Sequence, residues 1–330
     1  MDTVGSGAIE RRRVGQTSLS ISVMGLGAAP LGGLFQASSQ TEADATIAAA
    51  LSAGISHIDV APQYGRGLAE RRVGQSLIAH DRNSFLLSTK VGRLLVATAR
   101  PEPMKNFPEA LDVAMTYDTS AEGIRQSLSG SIERLGGISP DILLLHDPDR
   151  YAEGDALRRL IESAHGALVE LKREGRISAI GIGVNSPVPC RAALEIGDWD
   201  CFLLAGRYSA LRQEDDGILD ACQARGTSVL VGAPFMSGAL VGGSTWRYGP
   251  IPGDIAADIE KLRAACARHD VPVEAVALQY PLRHPAVASV VVGMRSPAEV
   301  ARNVRALRTA VPELLWDELR ALGLIDRPAA

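Results

Sequence analysis

The chain has 330 residues, 46% of them hydrophobic and 22% charged, enough to bury a large core as one α/β barrel or as two ordinary domains. A net charge of -4 and a sequence pI near 5.9, with no basic block, argue against nucleic acid or an anionic membrane surface as partners. Cys190, Cys201, Cys222 and Cys266 are widely spaced, no histidine cluster has metal-ligand spacing, and no stretch reads as a leader or a membrane span, so buried thiols, no metal and a cytoplasmic location are expected.

In chain order, Arg11 to Ser22 reads as a hairpin capping the bottom of a barrel, after an arm over residues 1–12 that overlaps its start. Val23 to Gly25 is the first strand, Glu42 to Ala53 the first helix, and Ser56 to Pro62 the second strand, followed by a helix over Leu68 to Ala79. Phe85 to Val91 is the third strand; a long loop, Gly92 to Thr119, separates it from a helix over Ser120 to Leu135. Strands follow at Ile142 to Asp147, Ala179 to Asn185, Cys201 to Gly206, Ser228 to Phe235 and Ser289 to Gly293. Between them lie helices over Asp155 to Glu174, Pro189 to Ile196, Glu214 to Arg225 and Ile255 to His269, with Pro297 to Leu307 after the last strand.

Eight such units without a break in composition predict one (β/α)8 TIM barrel spanning residues 1–330, with a core over about 13–310 and an extra helix at Pro312 to Leu324 within a C-terminal segment 311–330. A doubly wound sheet is the rival, but GLGAAPLGG at Gly25 to Gly33 lacks the third glycine of a dinucleotide fingerprint. The long loops Gly92 to Thr119 and Gly238 to Asp254 fall after the third and seventh strands, on the face that carries chemistry in such barrels.

Asp59, Tyr64, Lys90 and His146 each stand where a hydrophobic strand gives way to a loop, in HIDVAPQYG, FLLSTKVG and DILLLHDPD. Singly they read as a strand-end cap, a packed aromatic, a snorkelling lysine and a satisfied histidine. Together, an acid, a phenol, an amine and an imidazole suit proton transfer. Lysine occurs only at Lys90, Lys105, Lys172 and Lys261, which makes one at a strand end notable. His57 shares a strand side with Asp59, lies deeper, and reads as structural.

These segments resemble the aldo-keto reductases over about Arg13 to Val304. HIDVAPQYG is similar to the family's DTAxxYG signature, LSTKVG to its lysine strand, LLLHDPD to its histidine strand, and VVVGMRSPAEVARNV to its cofactor-binding segment. Within the family, IDVAPQYGRGLAERRVG, KVGRLL, IERLGGISPDILLLHDPD and APFMSGAL are most similar to the aldose 1-dehydrogenase branch, which includes L-fucose, D-threo-aldose, L-galactose and pyridoxal dehydrogenases. The resemblance implies that Tyr64 exchanges a proton with the substrate oxygen, Lys90 favours its phenolate, Asp59 holds Lys90 charged, and His146 orients the reacting oxygen.

For the cofactor, the resemblance implies Asn185 at the nicotinamide carboxamide, with Val184 where many relatives have serine. The usual glutamine on the next strand has no match in FLLAGRYSA, and Ala233 or Phe235 stands near the slot of the stacking aromatic. Ser237, Gly238 and Leu240 are expected at the pyrophosphate, with Gly293, Arg295, Glu299 and Asn303 on the adenosine side. Glu299 falls where relatives that prefer the phosphorylated cofactor carry a cation, so NAD is favoured over NADP. A small-molecule substrate is implied, with Arg93, Tyr117, Trp246 and Tyr248 as pocket candidates.

The implied reaction is oxidation of a cyclic hemiacetal to a lactone. The alternatives are an NADPH-dependent aldehyde or ketone reductase, a dehydrogenase of a secondary alcohol on a bulkier ring, and a cofactor-binding regulatory subunit.

Overall fold

The structure, a computed structural model, describes residues 8–100, 102–247 and 249–326. Eight parallel strands close into a barrel: β3 (Met24–Gly27), β4 (His57–Asp59), β5 (Leu86–Val91), β8 (Ile142–His146), β9 (Ala179–Val184), β10 (Cys201–Ala205), β11 (Ser228–Gly232) and β14 (Val287–Gly293). The remaining strands lie outside it. β1 (Arg11–Arg13) pairs antiparallel with β2 (Ser20–Ser22), β6 (Arg93–Ala97) with β7 (Val113–Tyr117), and β12 (Thr245–Trp246) with β13 (Gly249–Pro250).

Period-two alternation sorts the barrel residues by face. Ile58, Leu87, Leu143 and Leu145 point outward into the layer shared with the helices. Ile142, Leu144, Cys201, Leu203 and Leu230 fill the interior, where Val14 and Ile21 of the β1–β2 hairpin join them. Ile142 and Cys201 are the first residues of their strands, so the hairpin plugs the N-terminal end of the barrel, as expected. Arg11 and Arg12 belong to it and Ile9 is buried, so the arm expected over residues 1–12 is shorter; residues 1–7 lie outside the described residues.

Interior volume depends on glycine in β9. A Cβ on Gly183 would lie 3.2 Å from Lys90 Cε, and one on Gly181 would lie 2.7 Å from Leu144 Cδ2 and 2.0 Å from the Cys201 carbonyl oxygen. Gly183 leaves room for the Lys90 stem in the barrel interior, and Gly181 for Leu144 and the Cys201 backbone.

The outer layer comprises α1 (Gln40–Ser52), α2 (Leu68–Leu77), α3 (Ala121–Arg134), α4 (Gly154–Arg173), α5 (Pro187–Ile196), α6 (Ile218–Arg225), α7 (Gly253–Arg268), α8 (Val273–Leu282) and α9 (Pro297–Arg308). Ser39 opens α1 with a reciprocal capping box to Glu42, and Ser120, Ser186 and Ser296 cap α3, α5 and α9. The expected C-terminal helix is α10 (Glu313–Ala321), tied to α7 by Arg268 and His269 on Glu318. Among the described residues no helix is long and apolar enough to cross a membrane, and the four cysteines are free and buried.

Three features depart from the sequence expectation. The long loop Gly92 to Thr119 contains the β6–β7 hairpin, the long loop Gly238 to Asp254 contains the β12–β13 pair, and α8 is an additional helix between α7 and β14. The α8 segment VEAVALQYPL buries residues on nearly every side, so it lacks the one-sided apolar stripe by which a helix is recognised.

Candidate active site

Asp59, Lys90 and His146 stand on interior-facing positions at the C-terminal ends of β4, β5 and β8, and Tyr64 follows β4 in the adjoining loop. Lys90 is 1% exposed, and all three of its ammonium protons are committed. Nζ donates to Asp59 Oδ2 at 2.7 Å, to the Val60 carbonyl at 3.0 Å and to the Tyr64 hydroxyl at 3.1 Å. Burial alone would lower its pKa; the Asp59 carboxylate, with Tyr64, reverses this and holds it above the usual lysine range. Lys90 is therefore a permanent buried cation touching a phenol.

The turn after Tyr64 explains the glycines beside it. Gly65, Arg66 and Gly67 all have positive φ, and a Cβ on Gly65 would sit 2.5 Å from the Gly32 carbonyl oxygen. The Tyr64 ring lies 6.3 Å from that of His146 at 87°, and 6.4 Å from Phe107, nearly parallel at 16°. Burial, then the Arg93, Lys90 and Arg150 cations, holds His146 well below the usual imidazole range. It is neutral, so its 3.6 Å approach to Asp147 Oδ2 is a contact rather than an ion pair. A phenol between an ammonium and a neutral imidazole can exchange a proton with an oxygen bound at the mouth.

Arg93 and Tyr117 support the turn behind His146. Arg93 is 2% exposed and pairs with Asp147 at 2.8 Å, while Tyr117 donates to the His146 carbonyl at 3.2 Å and stacks on Tyr151 at 3.7 Å. Trp246 is buried in β12 with the Arg247 guanidinium over its ring; Tyr248 lies outside the described residues. The aromatic that does lie beside Tyr64 is Phe107, in a loop with no sequence signal to single it out.

On the other side of the mouth, Asn185 follows β9. Its Nδ2 donates to Asp147 Oδ1 at 3.2 Å, and its backbone carbonyl accepts from Arg207 Nε at 2.6 Å. Arg207 and Arg247 share Glu214, which ties the β10 loop to the β11 loop. Ser237 and Gly238 are both left-handed, and the amides of Gly238 and Leu240 bond to the Phe235 carbonyl. Gly293 ends β14 against Pro30.

At the start of α9, the Glu299 carboxylate folds back to accept from the Arg295 amide at 2.9 Å and lies 3.8 Å from the Arg295 side chain. Asn303 is buried, and its Oδ1 has no hydrogen-bond partner among the described residues, leaving an acceptor suited to an amine such as that of adenine. The open Asn303 acceptor fits a dinucleotide's adenine, whereas the Gly238 and Leu240 amides are already bonded to the Phe235 carbonyl.

The profile of the "Aldo/keto reductase family" matches residues 23–323. The chain is 37% identical to a pyridoxal 4-dehydrogenase from Microbacterium luteolum, over 97% of this chain and 99% of that protein. It is 38% identical to a D-threo-aldose 1-dehydrogenase from a Pseudomonas species, over 94% and 96%. Among solved structures, it resembles the holo form of an aldo-keto reductase from Bacillus halodurans with a TM-score of 0.76 and 26% identity, over 95% of this chain and 96% of that one.

Proposed function

The chain belongs to the aldo/keto reductase family, and on that premise we propose that it oxidises a cyclic hemiacetal, an aldose or pyridoxal, to its lactone, with NAD as the preferred cofactor. Like its family, it is a nicotinamide-dependent oxidoreductase acting on CH–OH groups or the carbonyls they become. The observation that carries the proposal is Lys90 bonding Asp59 and the Tyr64 hydroxyl at once, at the mouth of the barrel. When bound, the nicotinamide accepts the hydride from the anomeric carbon.

The protein's own groups manage the proton. Tyr64, its phenolate favoured by Lys90, takes the proton of the anomeric hydroxyl as the carbon–oxygen bond becomes a carbonyl. Asp59 keeps Lys90 charged and aimed. His146, neutral, presents a ring N–H to the same oxygen and orients it. Asn185 would hold the carboxamide, the turn over Ser237, Gly238 and Leu240 would lie along the phosphates, its Gly238 and Leu240 amides leaving the Phe235 carbonyl to donate there, and Gly293 and Asn303 would lie on the adenosine side. The support for NAD is the Glu299 carboxylate: it occupies the start of α9 and engages Arg295, so a ribose 2'-phosphate there would meet a negative charge. Arg295 itself favours the second reading, NADPH-dependent reduction, if it turns from Glu299 to a phosphate.

The test is nicotinamide absorbance with NAD or NADP across L-fucose, D-arabinose, L-galactose and pyridoxal. Reduction of NAD by one of these, lowered on the order of 10²-fold or more in Tyr64→Phe, supports the proposal. NADPH consumption with aldehydes or ketones, and no oxidation of any hemiacetal, would overturn it.

A further inference from the structure

Behind Asp59 and Lys90 lies a second row of polar side chains inside the barrel. Ser88 precedes Lys90 by two residues and His57 precedes Asp59 by two, so alternation puts all four on the interior face. The β4–β5 register sets Asp59 directly opposite Ser88. Ser88 Oγ is 2.8 Å from Asp59 Oδ1 and 2.9 Å from His57 Nε2, and both Ser88 and His57 are wholly buried.

The proton inventory admits one arrangement. Asp59, ionised against Lys90, only accepts hydrogen bonds, so the single hydroxyl proton of Ser88 goes to Oδ1. Ser88 Oγ must then accept from His57, which places the histidine proton on Nε2. Burial pushes the His57 pKa down to about 4, so the ring is neutral and Nδ1 carries a lone pair. Nδ1 has no partner among the described residues and faces Gly25, where a Cβ would lie 2.7 Å away. The charged and titratable groups around the row are Lys90, Tyr64 and His146 above it, Asp141 toward its base and the buried Cys201 thiol, which feels the Asp59 charge from across the interior.

We propose that Ser88 and His57 are positioning residues that hold Asp59 so that only Oδ2 receives Lys90, leaving one ammonium proton for Tyr64. The inference rests on the reading of Tyr64 as the proton-transfer group, and on no particular substrate. Two effects follow if Ser88 loses its hydroxyl. The Asp59 charge, no longer shared with a donor, offsets the Lys90 cation more fully. Oδ1 also becomes free to compete for the ammonium protons, and the one it draws away is the one on Tyr64. Both weaken stabilisation of the phenolate, so ionisation of Tyr64 moves to higher pH.

The experiment reads Tyr64 without substrate: the ultraviolet absorbance of tyrosinate is followed against pH, and the same titration in a Tyr64→Phe background is subtracted. Ser88→Ala is expected to raise the Tyr64 midpoint by on the order of one pH unit, and the pH profile of NAD reduction should move with it. His57→Gln, which keeps an N–H donor toward Ser88, should hold the parent midpoint within a few tenths, whereas His57→Leu should raise it. Ser88→Cys, similar in shape with a weaker donor, should move it the same way by less and serves if the alanine variant does not fold. A parent-like midpoint in folded Ser88→Ala or Ser88→Cys protein overturns the proposal, including when activity falls, because a merely structural role lowers activity at every pH alike. A raised midpoint with no turnover of any hemiacetal supports the positioning role and overturns the substrate reading instead.

Discussion

Asn185 Nδ2 donates to Asp147 Oδ1 at 3.2 Å, and because a carboxylate only accepts, this bond decides which end of the asparagine amide faces the mouth of the barrel. Oδ1 points away from Asp147, the orientation needed to receive an amide N–H. Asp147 itself is held in a left-handed conformation, with φ of 43°, and is paired with Arg93. Asp147→Ala should therefore weaken NADH binding about fivefold, the worth of one oriented hydrogen bond, and should also lower Tm because Arg93 is left buried without its partner. Fluorescence titration with NADH measures the first effect and thermal unfolding the second. Asp147→Asn, which can still present an oxygen to Asn185, should lose less affinity than the alanine variant.

On the proposed reading, Glu299 at the start of α9 sets cofactor choice. Removing the charge of Glu299 with Glu299→Gln releases Arg295 and takes away the repulsion of a 2'-phosphate. The ratio of kcat/KM for NADP to that for NAD should rise on the order of tenfold, about 1.4 kcal/mol. An unchanged ratio in steady-state assays with both cofactors would remove Glu299 as the determinant.

His57 couples stability to pH. Its pKa falls from the ordinary 6.5 in the unfolded chain to about 4 in the fold, because burial disfavours the imidazolium. Between those values the unfolded state binds the proton that the folded state refuses. Stability is thus complete above about pH 6.5 and is lost as the pH falls toward 4, with roughly 2–3 kcal/mol at stake from this group. The buried neutral His146 acts in the same direction. Urea unfolding at pH 7.5 and 4.5 measures the loss, and His57→Gln should show a smaller difference between the two than the parent.

Glu70 links two helices of the outer layer to a barrel strand. Wholly buried on α2, it receives Arg134 Nε from α3 at 2.6 Å and the Thr89 hydroxyl from β5 at 2.8 Å. Glu70→Ala leaves the guanidinium and the hydroxyl without their acceptor and should cost about 3 kcal/mol. Denaturant unfolding checks this; Glu70→Gln, which keeps an oxygen for Thr89, should cost less.

Eight hydrophobic runs alternating with amphipathic stretches specify the barrel, because strand and helix periods are local properties that neighbouring residues set for themselves. The strand-end positions of Asp59, Lys90 and His146 were legible for the same reason, as was the hairpin plug. The limits of local reading show in α8, whose surroundings are apolar on nearly all sides, and in the β6–β7 hairpin hidden within a long loop. Arg93 and Tyr117, in that loop region, were expected to face a substrate, and they brace the turn after His146.

What the amino-acid order determines by itself is which face of a strand each side chain takes. What only the closed barrel decides is which side chains meet across strands. The pairing of Asp59 with Ser88, the path of Lys90 over Gly183, and the pinning of Asn185 by Asp147 all join residues distant in the chain. Their contacts follow from the register imposed on closure, which no single segment carries.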